Sequence, residues 1–400
     1  MVDKHQFRNK VAIVGYGITK SRRHADVPIA SLAVETADQA IKDAGLTRAQ
    51  IDGVATATSL PAYGSNRVLR PGYGFVDADF LIEHMELDTL WSYDDVSFPP
   101  AVVRAVQAVA SGAASYVLLN RTLHNPAGRY NSFTETLAGG ETQWTAPYGY
   151  VAGTSGIAMP YMEYQKRYGM KREHMATLAL QIRKNVQSIP EAYWYGKELT
   201  FEDYMTARTI SEPMCLFDND IPVDGGGSFI VTTAERAADM PHQPVYITDW
   251  GLVQNTYKPI PGTLGSLDAM FEPTRYMAKK LWNRSGWHPS DVDVPQLYDG
   301  FLPVALWWME CLGFCGIGEA WQYIQDGRID PKGEFPLLSG GGNIGWGRIH
   351  GIPHILENYL QLSGRAGHRQ ISGATTGIST YSVPGFVHAT TILYSSDKSS

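Results

Sequence analysis

"PVYITDWGLV", residues 244–253, repeats the grammar of "KVAIVGYGIT", residues 10–19: Val245, Ile247 and Gly251 echo Val11, Ile13 and Gly17. Alternating apolar residues closed by glycine predict a strand that hands over to a helix. In the first copy Leu32, Ala33, Thr36, Ala37, Ala40 and Ile41 recur at helical spacing, and Gly45 stops that helix with Lys42 in its last turn. Ile51, Val54 and Ala55 then open a second strand. The second copy runs through "YMAKKLWNRSG" to "SDVDVPQLYDGF". There Gly286, Val292 and Asp293 echo Gly45, Ile51 and Asp52 at a constant offset of 241 residues. Two echoes in one order predict an internal duplication, with a period too long for a solenoid. Two related α/β halves are expected, residues 1–240 and 241–400. Open α/β sheets bind ligands beyond the carboxyl ends of their strands, which puts Tyr298 of "LYDGF" at a candidate site.

Between these copies, "SFPPAVVRAVQAVASG" predicts a helix with prolines in its first turn, and "SYVLLN" a strand. An inserted region of about 122–215 follows, rich in Tyr, Trp, Gly and Met, with helix-like stretches at "MEYQKRYGM" and "EHMATLALQIRKNVQ". So long an insertion is expected to line a pocket or make a subunit contact. "FDNDIPVDGGGSFIVTTAERA" returns to the core, read as a Gly-rich turn feeding a strand at Phe229–Thr232.

A chain of 400 residues, 44% hydrophobic and 18% charged, can bury a large core. Its net charge of −7 argues against a nucleic-acid partner. No signal peptide is expected, and no apolar run is long enough for a membrane span. Three cysteines, an odd number, point to reduced thiols and a cytoplasmic setting. Cys311 and Cys315 lie one helical turn apart without further zinc ligands at suitable spacing, so they read as core thiols and no metal site is expected.

"LLSGGGNIGWGRIHGIPH", residues 337–354, contains the G-x-G-x-x-G pattern at Gly340, Gly342 and Gly345. That pattern marks a dinucleotide site only early in a βαβ unit, with an acidic residue on the next strand. Neither condition is met here. Pro353 marks a helix start between His350 and His354, which argues against a metal pair on one helix face.

The duplicated units, the "PVDGGGSFIVTTAERA" turn, "YDGF" with its helix ending "CLGFC", and the late glycine segment occur in one order. With these landmarks the chain resembles the thiolase superfamily, in the branch of sterol-carrier-protein-x thiolases and bacterial lipid-transfer proteins. The resemblance spans nearly the whole length and implies a five-layer αβαβα sandwich, thiolase-like in both halves, and a homodimer. It also implies a nucleophilic cysteine near Val96 and a second one in "STYSVPGFVHAT"; both are missing. Ser97 reads as a helix N-cap rather than a substitute nucleophile. What remains resembles the cysteine-less steroid side-chain aldolases, which cleave β-hydroxyacyl-CoA thioesters. Their motifs match Tyr298-Asp299-Gly300-Phe301 and Gly347-Arg348-Ile349-His350-Gly351, with Arg348 where those aldolases place a second tyrosine. The branch further implies a small OB-fold partner with a zinc ribbon, and coenzyme A as part of the substrate with no cofactor held by this chain.

Retro-aldol cleavage needs a group that takes the hydroxyl proton and donors that hold the thioester enolate. Tyr298 is the acid/base candidate, as base or as acid, with Arg348 a source of positive field. His350 is the candidate enolate donor, with Gly347 among the glycines expected to admit backbone N–H groups. Asp299 is expected to orient backbone at the turn beside the substrate, and Tyr381 and His388 to line the site. The expectation is a lyase acting on an acyl-CoA with a bulky, apolar acyl group, for which a steroid side chain is the candidate. The rivals are a thiolase or acyltransferase with a non-cysteine site, and a non-catalytic thiolase-like subunit.

Overall fold

The computed structural model describes residues 5–58, 72, 74–95, 97–124, 144, 146–148, 150, 153–253, 266–386 and 389–399. In chain order the first elements are β1 (Val11–Ile18), α1 (Ile29–Asp43), β2 (Gly53–Ala57), α2 (Ala78–Met85), β3 (Trp91–Asp95), α3 (Phe98–Ser111) and β4 (Tyr116–Leu123). The inserted region carries α4 (Gly153–Tyr168), α5 (Arg172–Asn185), α6 (Phe201–Thr206), β5 (Thr209–Ser211) and β6 (Met214–Cys215). Then come β7 (Gly225–Thr233), α7 (Ala234–Ala237), β8 (Val245–Leu252), α8 (Leu267–Ser285), β9 (Val294–Gln296) and α9 (Leu302–Leu312). The last are α10 (Ala320–Tyr323), α11 (Gly342–Trp346), α12 (Ile352–Leu362), β10 (Thr376–Tyr381) and β11 (Thr390–Ser395).

Nine strands hydrogen-bond in the order β3-β2-β4-β7-β1-β8-β11-β10-β9. Outward from the β1–β8 junction, β7-β4-β2 in the first half mirrors β11-β10-β9 in the second, and β3 adds one strand beyond β2. β2 and β4 are parallel, as are β9 and β10. β7 runs antiparallel to β4, and β11 antiparallel to β10. The two repeated strands β1 and β8 meet through only the pairs Ala12↔Tyr246 and Ile13↔Val245. The glycines they share have one job: a Cβ on Gly17 would strike the backbone of α1, and one on Gly251 would strike Met277 of α8. Each lets the following helix close onto its strand.

Burial resolves five layers. Ala12 and Val14 of β1 share a core with α1 and α2, whereas Val11 and Ile13, on the strand's other face, share one with α3, α12, β8 and β11. A third core holds α8 and α9 together with α4 and α5 of the insertion. α3 and α12 therefore form the middle layer between the two halves of the sheet. Every residue of α12 is buried, as expected of a helix enclosed on all sides. The Gly-rich turn expected before Phe229 is instead strand, because β7 opens at Gly225. Its glycines admit close neighbours: a Cβ on Gly226 would lie 2.8 Å from the Arg121 carbonyl oxygen, and one on Gly227 2.7 Å from Ile352. Among the described residues no helix is long and apolar enough to cross a membrane.

Candidate functional site

Tyr298 sits two residues beyond β9, in the turn into α9, and its backbone N–H donates to Thr380 Oγ1 of β10 at 2.7 Å. Its phenol folds over its own turn. A Cβ on Gly300 would lie 2.7 Å from the phenol oxygen, so glycine is what leaves the ring room. The Tyr298 ring meets Tyr381 edge-on, with centroids 5.2 Å apart, and lies 5.8 Å from His354.

His350 occupies the bend between α11 and α12. Its φ of 41° is left-handed, a conformation that costs a side-chain-bearing residue about 1–2 kcal/mol. Such strain persists where packing holds it, commonly at functional sites. Gly351 beside it also has positive φ, and a Cβ there would meet Tyr381 at 3.2 Å and Pro99 of α3 at 3.4 Å. The His350 and Tyr381 rings are 6.3 Å apart. One cluster thus draws on the start of α3, the start of α12 and the ends of β9 and β10. Tyr381 is its hub, in contact with both Tyr298 and His350.

The residue that the sequence reading missed is Arg121. It is fully buried near the end of β4; Nη1 donates to the Ala57 carbonyl at 3.2 Å and Nη2 lies 3.2 Å from His350 Nδ1. Burial pushes its guanidinium pKa down, opposed by the nearby Tyr381 and Tyr298 phenols. Burial, then the charges of Arg121 and Arg348, hold the His350 imidazole well below its usual pKa. Both effects favour the uncharged ring. The one signal in the sequence was a lone arginine inside the apolar strand "YVLLNRTL".

Asp299 accepts hydrogen bonds from backbone. Its Oδ1 accepts from Asn343 N–H at 2.7 Å and Oδ2 from Ile344 N–H at 3.1 Å, and His354 Nε2 lies 3.0 Å from Oδ1. That carboxylate anchors the first turn of α11 and the first turn of α12, and it is fully buried. Gly347 corrects the expectation placed on it: its N–H is spent on the Asn343 carbonyl, and glycine is needed because a Cβ would lie 2.5 Å from Val223. Gly341 and Gly345 pack on Val186, and Gly340 on Glu357, so this stretch serves close approach rather than phosphate binding. Arg348 is half-buried, with its charge in reach of His350. His388 and Val96 lie outside the described residues.

The family model described as "Thiolase C-terminal domain-like" matches residues 265–396. The 17-hydroxy-3-oxo-4-pregnene-20-carboxyl-CoA lyase of Mycobacterium tuberculosis is 31% identical over 364 residues, covering 89% of this chain and 92% of that protein. The chain belongs to the thiolase superfamily. The steroid side-chain-cleaving aldolase of Thermomonospora curvata is 30% identical, across 86% of this chain and 88% of its own. The solved structure of an "Ltp2-ChsH2(DUF35) aldolase" superposes with a TM-score of 0.84 at 26% identity, covering 97% of this chain and 98% of that one.

In this thiolase-superfamily chain the core that takes in Tyr298 and Tyr381 also holds thiols. Cys215 and Cys311 are buried in the outer core with the insertion and α9, and half-buried Cys315 packs against it. Burial pushes all three thiols up, Cys215 to about 11, so none is a ready thiolate. Ser97 heads α3 as expected, but its hydroxyl makes no capping bond; its N–H donates to Asp95 Oδ1 at 3.1 Å. Among the described residues no group of His, Cys, Asp and Glu is arranged to hold a metal ion.

Proposed function

We propose that this member of the superfamily is a carbon–carbon lyase. It cleaves a β-hydroxyacyl-CoA thioester with a bulky, apolar, steroid-like acyl group into a ketone and a shorter acyl-CoA. The observation that carries the reading is the meeting of the Tyr298 and Tyr381 phenols with the His350 imidazole in a chain whose thiols are all disfavoured as thiolates. The activities named for the two relatives, a lyase and an aldolase for steroid side chains, support the substrate class.

In this mechanism Tyr298 acts as its phenolate and takes the proton of the β-hydroxyl. The Cα–Cβ bond breaks, its electron pair moves into the thioester as an enolate, and the β-carbon leaves as the ketone. The enolate oxygen accepts a hydrogen bond from His350. Tyr298 then returns the proton to Cα and completes the cycle. A neutral imidazole suits this role, since it offers one N–H without titrating, and one oxyanion donor is worth about 10²–10³ in rate. Tyr381 lines the space between the two. A small partner protein, a homodimer and a cytoplasmic setting belong to the same proposal; the two-component name of the solved aldolase supports the partner.

The test is incubation with a panel of β-hydroxyacyl-CoA thioesters, with and without such a partner, reading products by mass. Ketone and short acyl-CoA are expected from the wild type. Tyr298→Phe and His350→Ala should each lower turnover by about 10²-fold or more while the circular dichroism spectrum stays native. Wild-type turnover in either variant removes that residue from the mechanism.

A further inference from the structure

A fully buried arginine on a sheet strand needs an explanation, because an unpaired charge there costs several kcal/mol. Arg121 is tied to both halves of the chain: Nη1 binds the Ala57 carbonyl of β2 and Nη2 faces His350 Nδ1. Guanidinium offers only donors. A proton on His350 Nδ1 would set N–H against N–H across 3.2 Å, so that nitrogen must present its lone pair. The imidazole proton then resides on Nε2, on the ring's far side.

We infer that Arg121 is a positioning residue: by occupying His350 Nδ1 from the fixed anchor at Ala57, it commits the imidazole to a single tautomer whose Nε2–H is the donor to the substrate. The inference rests on the proposed lyase reading for what that donor does, but the tautomer is a property of the free protein.

The duplication strengthens the geometry. Gly53 of β2 pairs with Val117 of β4, and Val294 of β9 pairs with Gly377 of β10. Gly53 and Val294 are separated by the repeat offset of 241 residues. Arg121 stands four residues past Val117 and Tyr381 four past Gly377, so they hold corresponding positions in the two halves. Ala57 corresponds in the same way to Tyr298. The strand ends that carry Tyr298 and Tyr381 in one half carry, in the other, the arginine and the carbonyl that anchors it.

The experiment is long-range ¹H–¹⁵N correlation on the full chain with labelled histidines, with His350 assigned through its Gln variant. In the wild type, at neutral pH, His350 should show Nε2 protonated and Nδ1 bare. Arg121→Met should release a mixture of tautomers and bring protonation of the ring up toward ordinary histidine pH. Among the described residues, the charged and titratable groups that face the ring are Arg121 from β4, Arg348 from its own bend and Tyr381 from β10. Losing Arg121 should accordingly move the acid limb of the kcat/KM profile upward and lower kcat on the order of 10²-fold. Arg121→Lys, which keeps the charge but cannot span both contacts, should fall between.

An Nδ1–H tautomer in the wild type overturns the inference, even if the Met variant fails to fold. So does a folded Met variant with an unchanged tautomer. A wild type with the expected tautomer and no lyase activity on any thioester of the panel instead defeats the functional reading alone.

Discussion

At Gly300 a single hydrogen atom decides where the Tyr298 phenol can lie. A methyl carbon at that position would lie 2.7 Å from the Tyr298 oxygen and 2.9 Å from two ring carbons, inside any tolerable contact. A phenol ring is rigid and has only two torsions with which to escape, so Gly300→Ala must swing it away from Tyr381. Misplacing a reacting group by about 1 Å can cost roughly 10²-fold in rate. Gly300→Ala should therefore lower kcat by about that factor with little change in Tm, measured by steady-state kinetics and calorimetry. Full activity in a folded Ala variant would show that the phenol needs no such position. His350 shows the complementary device, a residue held in left-handed backbone whose pKa is pushed down by burial and two guanidinium charges.

At the scale of elements, α11 and α12 are oriented by one carboxylate. Asp299 receives the first N–H groups of α11 and the His354 side chain of α12, with no exposed atom to trade those bonds for water. Removing one partner of such a buried set typically costs about 3–5 kcal/mol. Asp299→Ala should destabilise the protein by that order, read as a fall in the urea midpoint, and loosen the His350 bend as a consequence. Near-native stability would mean that the two helices are fixed by packing alone. Much of this scale was legible in the residues. The apolar periodicity of α1, the prolines at the starts of α3 and α12 and the paired glycines of β1 and β8 each mark an element that exists. Gly225–Gly227 misled, because three glycines signal a turn locally, whereas here they admit β4 and α12 against a strand. Arg121 was hidden for a similar reason. Its role depends on a histidine 229 positions away, which no local pattern reports.

Across the whole molecule, the site lies where the two copies of one strand–helix grammar come together in the middle layer. Tyr298, Tyr381 and His350 come from the second half, and Arg121, Ala57 and Pro99 from the first, so neither half holds the cluster alone. This explains why isolated motifs were ambiguous while their order along the chain was informative. Burial disfavours the reactive form of all three thiols, which makes them poor nucleophiles. The central claim is that the acyl chain never becomes bonded to the protein. It is tested most directly by a single turnover of acyl-labelled β-hydroxyacyl-CoA, acid-quenched during the reaction and read by intact-protein mass. The account predicts unmodified protein at every time point while ketone and short acyl-CoA accumulate together. A transient adduct of acyl mass that forms and decays at the rate of turnover would contradict it.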